Sequence, residues 1–196
     1  EPRVSGSRVR LDVDAEMAEE GHRIFLSASR PFYRLSETMS LAGSAFSSES
    51  IHRLYSGQTL REKYAEREKG GALSTRRSFG NEIKVRPGLF LSVTDHLFDP
   101  EAGFTYAPQD RRRVLVSGGL TVWKPNYEAT RFFRQLGRTE DLQVGSWVTV
   151  RAGVSAMAIG SDRDYRFLTF DINPRFRPLK DTYLLTRFTY RSRFSD

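Results

Sequence analysis

Thr182–Phe194 reads TYLLTRFTYRSRF. Leu184, Phe188, Tyr190 and Phe194 fall on one side of an extended chain. Arg187, Thr189, Arg191 and Arg193, with Asp181 just before them, fall mostly on the other. Side chains of a strand alternate between two faces, whereas a helix repeats about every 3.6 residues, so this stretch reads as a strand. The same beat recurs along the chain. Val9, Leu11 and Val13 oppose Arg8, Arg10, Asp12 and Asp14. Val85, Leu89, Leu91 and Val93 oppose Lys84, Arg86, Ser92 and Thr94. Val114, Val116, Leu120 and Val122 oppose Arg113, Ser117 and Thr121. Val144, Val148, Val150, Ala152 and Val154 oppose Gln143, Thr149, Arg151 and Ser155, and Leu168, Phe170 and Ile172 oppose Thr169, Asp171 and Asn173.

Ten strands are expected: Arg8–Glu16, Gly21–Ser29, Glu37–Ser47, Leu60–Phe79, Ile83–Asp95, Arg111–Trp123, Glu128–Arg134, Leu142–Ala156, Asp164–Phe176 and Thr182–Phe194. Leu60–Lys69 alternates weakly and reads either as a strand running past the others or as a short helix in a loop. Most segments exceed the roughly 5–6 residues of an average globular strand and match the ~9–11 residues that cross a bilayer. A soluble sandwich would share the alternation, with one apolar face per sheet.

The links favour a membrane barrel. Pro31–Ser36, Gly80–Glu82, Lys124–Tyr127 and Met157–Arg163 are short; Ser48–Thr59, His96–Asp110 and Gln135–Asp141 are longer. Outer-membrane barrels have short periplasmic turns and long outer loops, which places Pro31–Ser36 and its companions on the periplasmic side. Phe32, Tyr33, Phe79, Trp123 and Tyr127 lie near the short links, and Phe98, Phe104 and Tyr106 near a long one, like two interfacial girdles.

Composition bounds the chemistry. The chain has 196 residues, which suits a single domain, and 38% are hydrophobic. There is no apolar run of the ~18 residues a transmembrane helix needs. With 31 Lys+Arg against 24 Asp+Glu the net charge is +7, but the arginines are dispersed among strands, which argues against nucleic acid as a partner. With no cysteine there is no disulfide, Cys-type zinc site or thiol catalysis. His22, His52 and His96 lack metal-ligand spacing, so they read as solvated histidines and no metal or other cofactor is expected. No Gly-x-Ser-x-Gly or phosphate-cradling glycine loop occurs, and the chain is not expected to be an enzyme.

Arg8, Arg10, Arg113, Arg151, Arg175, Arg187, Arg191 and Arg193 share the polar face of their strands, with Asp12, Asp14, Glu16 and Asp171 as possible carboxylate partners. In a closed barrel that face is the lumen. Arg113, Arg151, Arg175, Arg187, Arg191 and Asp171 are therefore the lumen-facing candidates. The reading is either a salt-bridged, water-filled wall or an anion-attracting lumen.

Two stretches carry a resemblance: His22–Ser47, HRIFLSASRPFYRLSETMSLAGSAFS, and Tyr127–Val154, with Gly137-Arg138-Thr139-Glu140-Asp141 followed by Leu142 and Gly145. They resemble the middle of the bacterial surface-antigen barrels, the superfamily of the outer-membrane assembly proteins BamA and TamA. The resemblance implies a sixteen-strand barrel, usually preceded by periplasmic POTRA domains, that inserts or exports proteins. It also singles out Arg138, Glu140 and Asp141 in an outer loop. The chain departs from that pattern. It has no POTRA-like stretch, Val85-Arg86-Pro87-Gly88 is not the family's Val-Arg-Gly-aromatic motif, and Ser195 and Asp196 follow Phe194. The expectation is an all-β, antiparallel up-and-down transmembrane β-barrel, or a fragment of the larger one, in a bacterial outer membrane. Its partners would be the lipid bilayer and client outer-membrane or assembly proteins, and its role assembly, translocation or related transport. The alternatives are a passive anion-preferring porin-like channel, a soluble all-β binding protein and a barrel-wall hydrolase.

Overall fold

The computed structural model describes residues 8–131, 139–179 and 182–195. Among them the chain forms thirteen strands and one single-turn 3-10 segment, Met157–Ile159. No helix among the described residues is long and apolar enough to cross a membrane. The strands are β1 (Arg10–Ala18), β2 (Gly21–Arg30), β3 (Met39–Ser56), β4 (Thr59–Arg77), β5 (Lys84–Pro100), β6 (Arg111–Trp123), β7 (Tyr127–Arg131), β8 (Thr139–Gln143), β9 (Trp147–Ser155), β10 (Tyr165–Asn173), β11 (Arg175–Leu179), β12 (Thr182–Leu185) and β13 (Phe188–Phe194). Nine of them make one antiparallel sheet in the order β1-β2-β3-β4-β5-β6-β9-β10-β13. The others form two hairpins, β7-β8 and β11-β12, inserted between neighbouring strands of that sheet.

The sheet is open. β1 pairs only with β2 and β13 only with β10, so the expected closure into a barrel is not present among the described residues. Three expected strands are each broken in two. Leu142–Ala156 divides at Val144–Ser146, Asp164–Phe176 at Pro174, and Thr182–Phe194 at Thr186 and Arg187. Proline cannot donate to a ladder, which accounts for the break at Pro174. At the third break the Thr186 N–H and hydroxyl both turn back to the Pro174 carbonyl, at 3.2 and 3.0 Å. Leu60–Lys69 is strand: β4 pairs with β3 from Ser56↔Thr59 to Met39↔Arg77. Gly57, at φ +63°, opens the two-residue turn Gly57–Gln58 and supplies the positive φ that tight hairpin turns need.

The expected division of short and long links between opposite ends is not what the fold gives. Pro31–Ser36, Gly80–Glu82, Lys124–Tyr127 and the β7-β8 hairpin sit at one end, the hairpin end; of the expected link Gln135–Asp141, residues 135–138 lie outside the described residues. Met157–Arg163 sits at the other, with the β3-β4 turn and the β5-β6 loop. The reason is that β7 pairs with β8 instead of joining the main sheet, so two links collapse into one on the same side.

Following the register across the sheet separates its faces. One carries Leu11, Val13, Ile24, Leu26, Leu41, Leu73, Leu89, Leu91, Val116, Leu120, Val122, Val148, Val154, Ile172, Phe188 and Phe194, all exposed. Across one end of this apolar face runs the rung Lys69↔Asp95↔Arg112, with Arg112 Nε 3.5 Å from Asp95 Oδ1. At the hairpin end stands Arg77, its guanidinium 5.2 Å from the Phe79 ring. The only apolar side chains buried among the described residues are Ala65, Phe98, Val114 and Leu142. Among the described residues no element covers the apolar face.

Candidate functional site

The opposite face is polar, and its strands bring charge together from far apart in sequence. Arg191↔Thr169↔Arg151↔Gly119↔Gly88↔Arg76 is a single rung running from β13 to β4. A cavity of about 380 Å³ lies over it, lined by Arg76, Arg86, Arg151 and Arg191, with Asp171 as the only carboxylate in its wall.

Aromatic rings hold three of these guanidiniums. Arg151 lies 4.4 Å from the centroid of Phe90 and 5.6 Å from that of Phe167, and its Nε donates to Ser117 Oγ at 2.9 Å. Arg76 shares the Phe90 ring at 5.1 Å. Arg86 sits between Phe32 at 4.2 Å and Trp123 at 4.6 Å, and donates to Ser78 Oγ at 3.2 Å. Cation–π contacts orient a guanidinium without neutralising it. The rings have room to lie along the sheet because glycines face them: a Cβ on Gly153 would be 2.4 Å from Phe167 Cε1 and 2.5 Å from Ser117 Cβ.

Asp171 is already engaged. Its carboxylate accepts Arg187 Nε at 3.0 and 3.2 Å, a further contact from Arg187 Nη2, one from Asn173 Nδ2, and Thr189 Oγ1 at 3.5 Å. None of Arg76, Arg86, Arg151 and Arg191 forms an ion pair among the described residues. The cavity wall is therefore positive, its polar remainder being Thr121, Thr149, Thr169 and Thr189, of which the first two meet through their hydroxyls at 3.0 Å.

The sequence candidates divide. Arg151, Arg191 and Asp171 line this cavity, and Arg187 belongs to it through Asp171. Arg113 is on the same face but at the far end, paired with Thr94. Arg175 is not on the main sheet. It opens β11, its guanidinium lies 4.4 Å from the Trp147 ring and donates to the Gln143 carbonyl, and its N–H reaches Ser146 Oγ at 3.0 Å. With Glu128, which accepts Arg177 Nη1 at 2.6 Å and the Tyr183 hydroxyl at 2.9 Å, it fastens one hairpin to the other. Arg138 lies outside the described residues, as does the Glu140 side chain. Glu140 and Asp141 belong to β8, opposite Thr130 and Ala129, and so to the hairpin end where the short links cluster.

Sequence reasoning missed Arg76 and Arg86, and it missed a cluster at the end of the polar face away from the hairpins. Glu66 bridges two histidines, with His52 Nε2 2.9 Å from Oε2 and His96 Nδ1 2.9 Å from Oε1. His96 Nε2 is 3.7 Å from Glu68 Oε1, and His52 stacks on Tyr64 at 5.4 Å. These histidines are partnered, not simply solvated. The cluster is assembled by the register of β3, β4 and β5, which no local spacing reveals. Among the described residues no group of His, Asp and Glu is arranged to hold a metal ion.

Comparison with known proteins finds no family model that matches the chain, and no curated protein or solved structure significantly similar to it.

Proposed function

We propose that the main sheet is the wall of a transmembrane β-barrel in a bacterial outer membrane, and that its polar face lines an anion-attracting interior used for transport. The observation that carries this reading is the exposed apolar face, bounded by charge at both ends, in a chain whose described residues bury only four apolar side chains. A water-soluble protein of this size gains its stability by burying such residues, and a contiguous apolar surface this large marks contact with lipid or a partner. On β5 the apolar run from Val85 to Val93 covers eight steps, roughly 26 Å along the strand at about 3.3 Å each. Barrel tilt shortens that to about 20 Å, and Phe79, whose backbone bridges to Val85, adds to it. A transmembrane barrel's apolar band is ~25 Å tall. A bilayer tolerates no unpaired backbone, so β1 and β13 need partner strands to complete the wall.

Inside such a wall the unpaired arginines raise the local concentration of anions. The test is a reversal-potential measurement in a planar bilayer under a salt gradient. Anion selectivity is expected, shifting toward cations in Arg86→Glu and Arg151→Glu. Cation selectivity in the parent chain, or no shift in the variants, refutes the interior assignment.

The free edges favour a second reading, assembly of outer-membrane proteins, which the family resemblance also implies. Among the described residues β1 and β13 each pair on one side only, and an incoming strand can add to the other. Cross-linking from cysteines placed on β1 to an unfolded barrel client would support it. Cross-links no more frequent there than on β5 would count against it.

A further inference from the structure

The polar face holds a second basic cavity at the end opposite the hairpins. Its volume is about 400 Å³, and Arg111, Arg113, Arg163 and Arg193 line it. The site is built, not a loose surface cluster. The link between β9 and β10 is fastened to β6 by Ser161, whose Oγ accepts the Val114 N–H at 3.3 Å, donates to the Arg112 carbonyl at 3.3 Å and meets Ser155 Oγ at 2.7 Å. The Asp162 N–H donates to the Arg112 carbonyl at 3.0 Å, and the Asp162 carboxylate accepts the Arg112 N–H. Ser155 and Ser161 are both buried. This clamp sets Arg163 beside Arg111 and Arg113. Arg193 comes in from β13 and is held over the Tyr165 ring at 4.0 Å, while Arg111 lies 5.3 Å from the Phe98 ring.

Two carboxylates, Glu68 and Asp162, share the cavity wall with five arginines, so the wall stays positive. Glu68 Oε1 lies 3.7 Å from His96 Nε2, and Asp162 accepts the Arg112 N–H. No carboxylate among the described residues pairs with Arg111, Arg113, Arg163 or Arg193. Four guanidiniums, two of them oriented by rings and each a rigid fork of donors, match phosphoryl oxygens two at a time. The volume lies in the range of small-ligand sites.

We infer that this cavity binds a phosphate-rich anion, of the diphosphate or bis-phosphorylated headgroup class, through Arg111, Arg113, Arg163 and Arg193. The inference does not depend on the membrane reading, because sheet and link alone place the arginines. The cavity also lies on the rim where the Lys69↔Asp95↔Arg112 rung ends the apolar face, so a lipid headgroup and a free phosphate compound are both possible sources.

The test is calorimetric titration of the folded chain in nonionic detergent with sodium pyrophosphate, repeated at high salt. Saturable binding that weakens with salt is expected. Arg163→Gln and Arg113→Gln should each weaken it about tenfold, the loss of one charge-assisted pair. Arg23→Gln, on β2 and in the wall of neither cavity, should leave it unchanged. Arg163 is exposed and lies outside every strand, so Arg163→Gln carries the test even if a strand variant fails to fold. Phosphatidylcholine vesicles doped with a diphosphate-headgroup lipid identify the source. Capture of the protein that pyrophosphate reverses assigns the site to lipid, and binding of pyrophosphate alone assigns it to a soluble ligand. No binding of either, or binding insensitive to Arg163→Gln, overturns the inference.

Discussion

Leu89→Arg separates a lipid-facing sheet from a water-facing one. Leu89 is 64% exposed and lies at the middle of the apolar run on β5, four residues from both Val85 and Val93. If that face meets water, only about a third of the side chain is shielded. Full burial of a leucine is worth about 1.5–3 kcal/mol, so its loss would cost at most about 1 kcal/mol. An exposed arginine would add nothing unfavourable. If the face meets hydrocarbon, an arginine at the bilayer midplane costs about 2–4 kcal/mol, and the same change near an interface about 0–1. Val85→Arg, at the edge of the run, supplies the second depth. The assay is urea unfolding of vesicle-folded protein, read by the emission of Trp123 and Trp147. The account predicts a loss of ~2–4 kcal/mol for Leu89→Arg and no more than about 1 kcal/mol for Val85→Arg. Equal effects at the two positions, or a neutral Leu89→Arg, would refute the reasoning.

Other perturbations probe the remaining contacts. Gly153→Ala places a Cβ 2.4 Å from Phe167 Cε1 and should destabilise the fold by about 1–3 kcal/mol in the same unfolding assay, with partial rescue by Phe167→Leu. The hydrogen bond and charge of Arg53 hold the Glu20 carboxyl below its ordinary range. A carboxyl depressed in the folded state contributes stability above its unfolded pKa and loses it as pH falls through the folded one. Glu20→Gln should therefore lower the melting temperature slightly at neutral pH and have no effect in strong acid; an equal effect at both would contradict the pairing. Glu128→Ala should loosen the hairpins from each other, seen as faster proteolysis within residues 174–187 with little change in global unfolding. An unchanged cleavage rate would show that Arg175 and its neighbours suffice.

The sequence made the sheet legible wherever one face is apolar and the other polar. Val114, Val116, Leu120 and Val122 against Arg113, Ser117 and Thr121 could be read directly, and β6 runs as that alternation implies. The outer half of β4 was ambiguous for a physical reason. Glu62, Lys63, Glu66, Arg67, Glu68 and Lys69 lie at or past the charged rung, where both faces are polar and alternation carries no signal. The hairpins were hidden because Leu184 and Phe188 keep the same phase across the break at Thr186 and Arg187, so one strand and two look alike. The arginines were visible as a polar-face set. Which of them converge depended on register: Arg76, Arg151 and Arg191 share a rung across widely separated segments, whereas Arg175, though in phase with Asp171 and Asn173, passes Pro174 and leaves the sheet. The pairing of His52 and His96 through Glu66 was invisible on the same ground.

The central claim is that the apolar face of the main sheet meets lipid. The chain has no cysteine, so single cysteines introduced along β5 at Gly88 through Val93 can carry spin labels without background. The measurement is their collision with oxygen, which partitions into lipid, against a water-soluble nickel complex, in vesicle-folded protein. The account predicts a period-two pattern, oxygen contact highest at Leu89, Leu91 and Val93 and nickel contact highest at Gly88, Phe90 and Ser92. Nickel contact equally high at all six positions, from a protein that stays monodisperse in buffer without lipid, would contradict it.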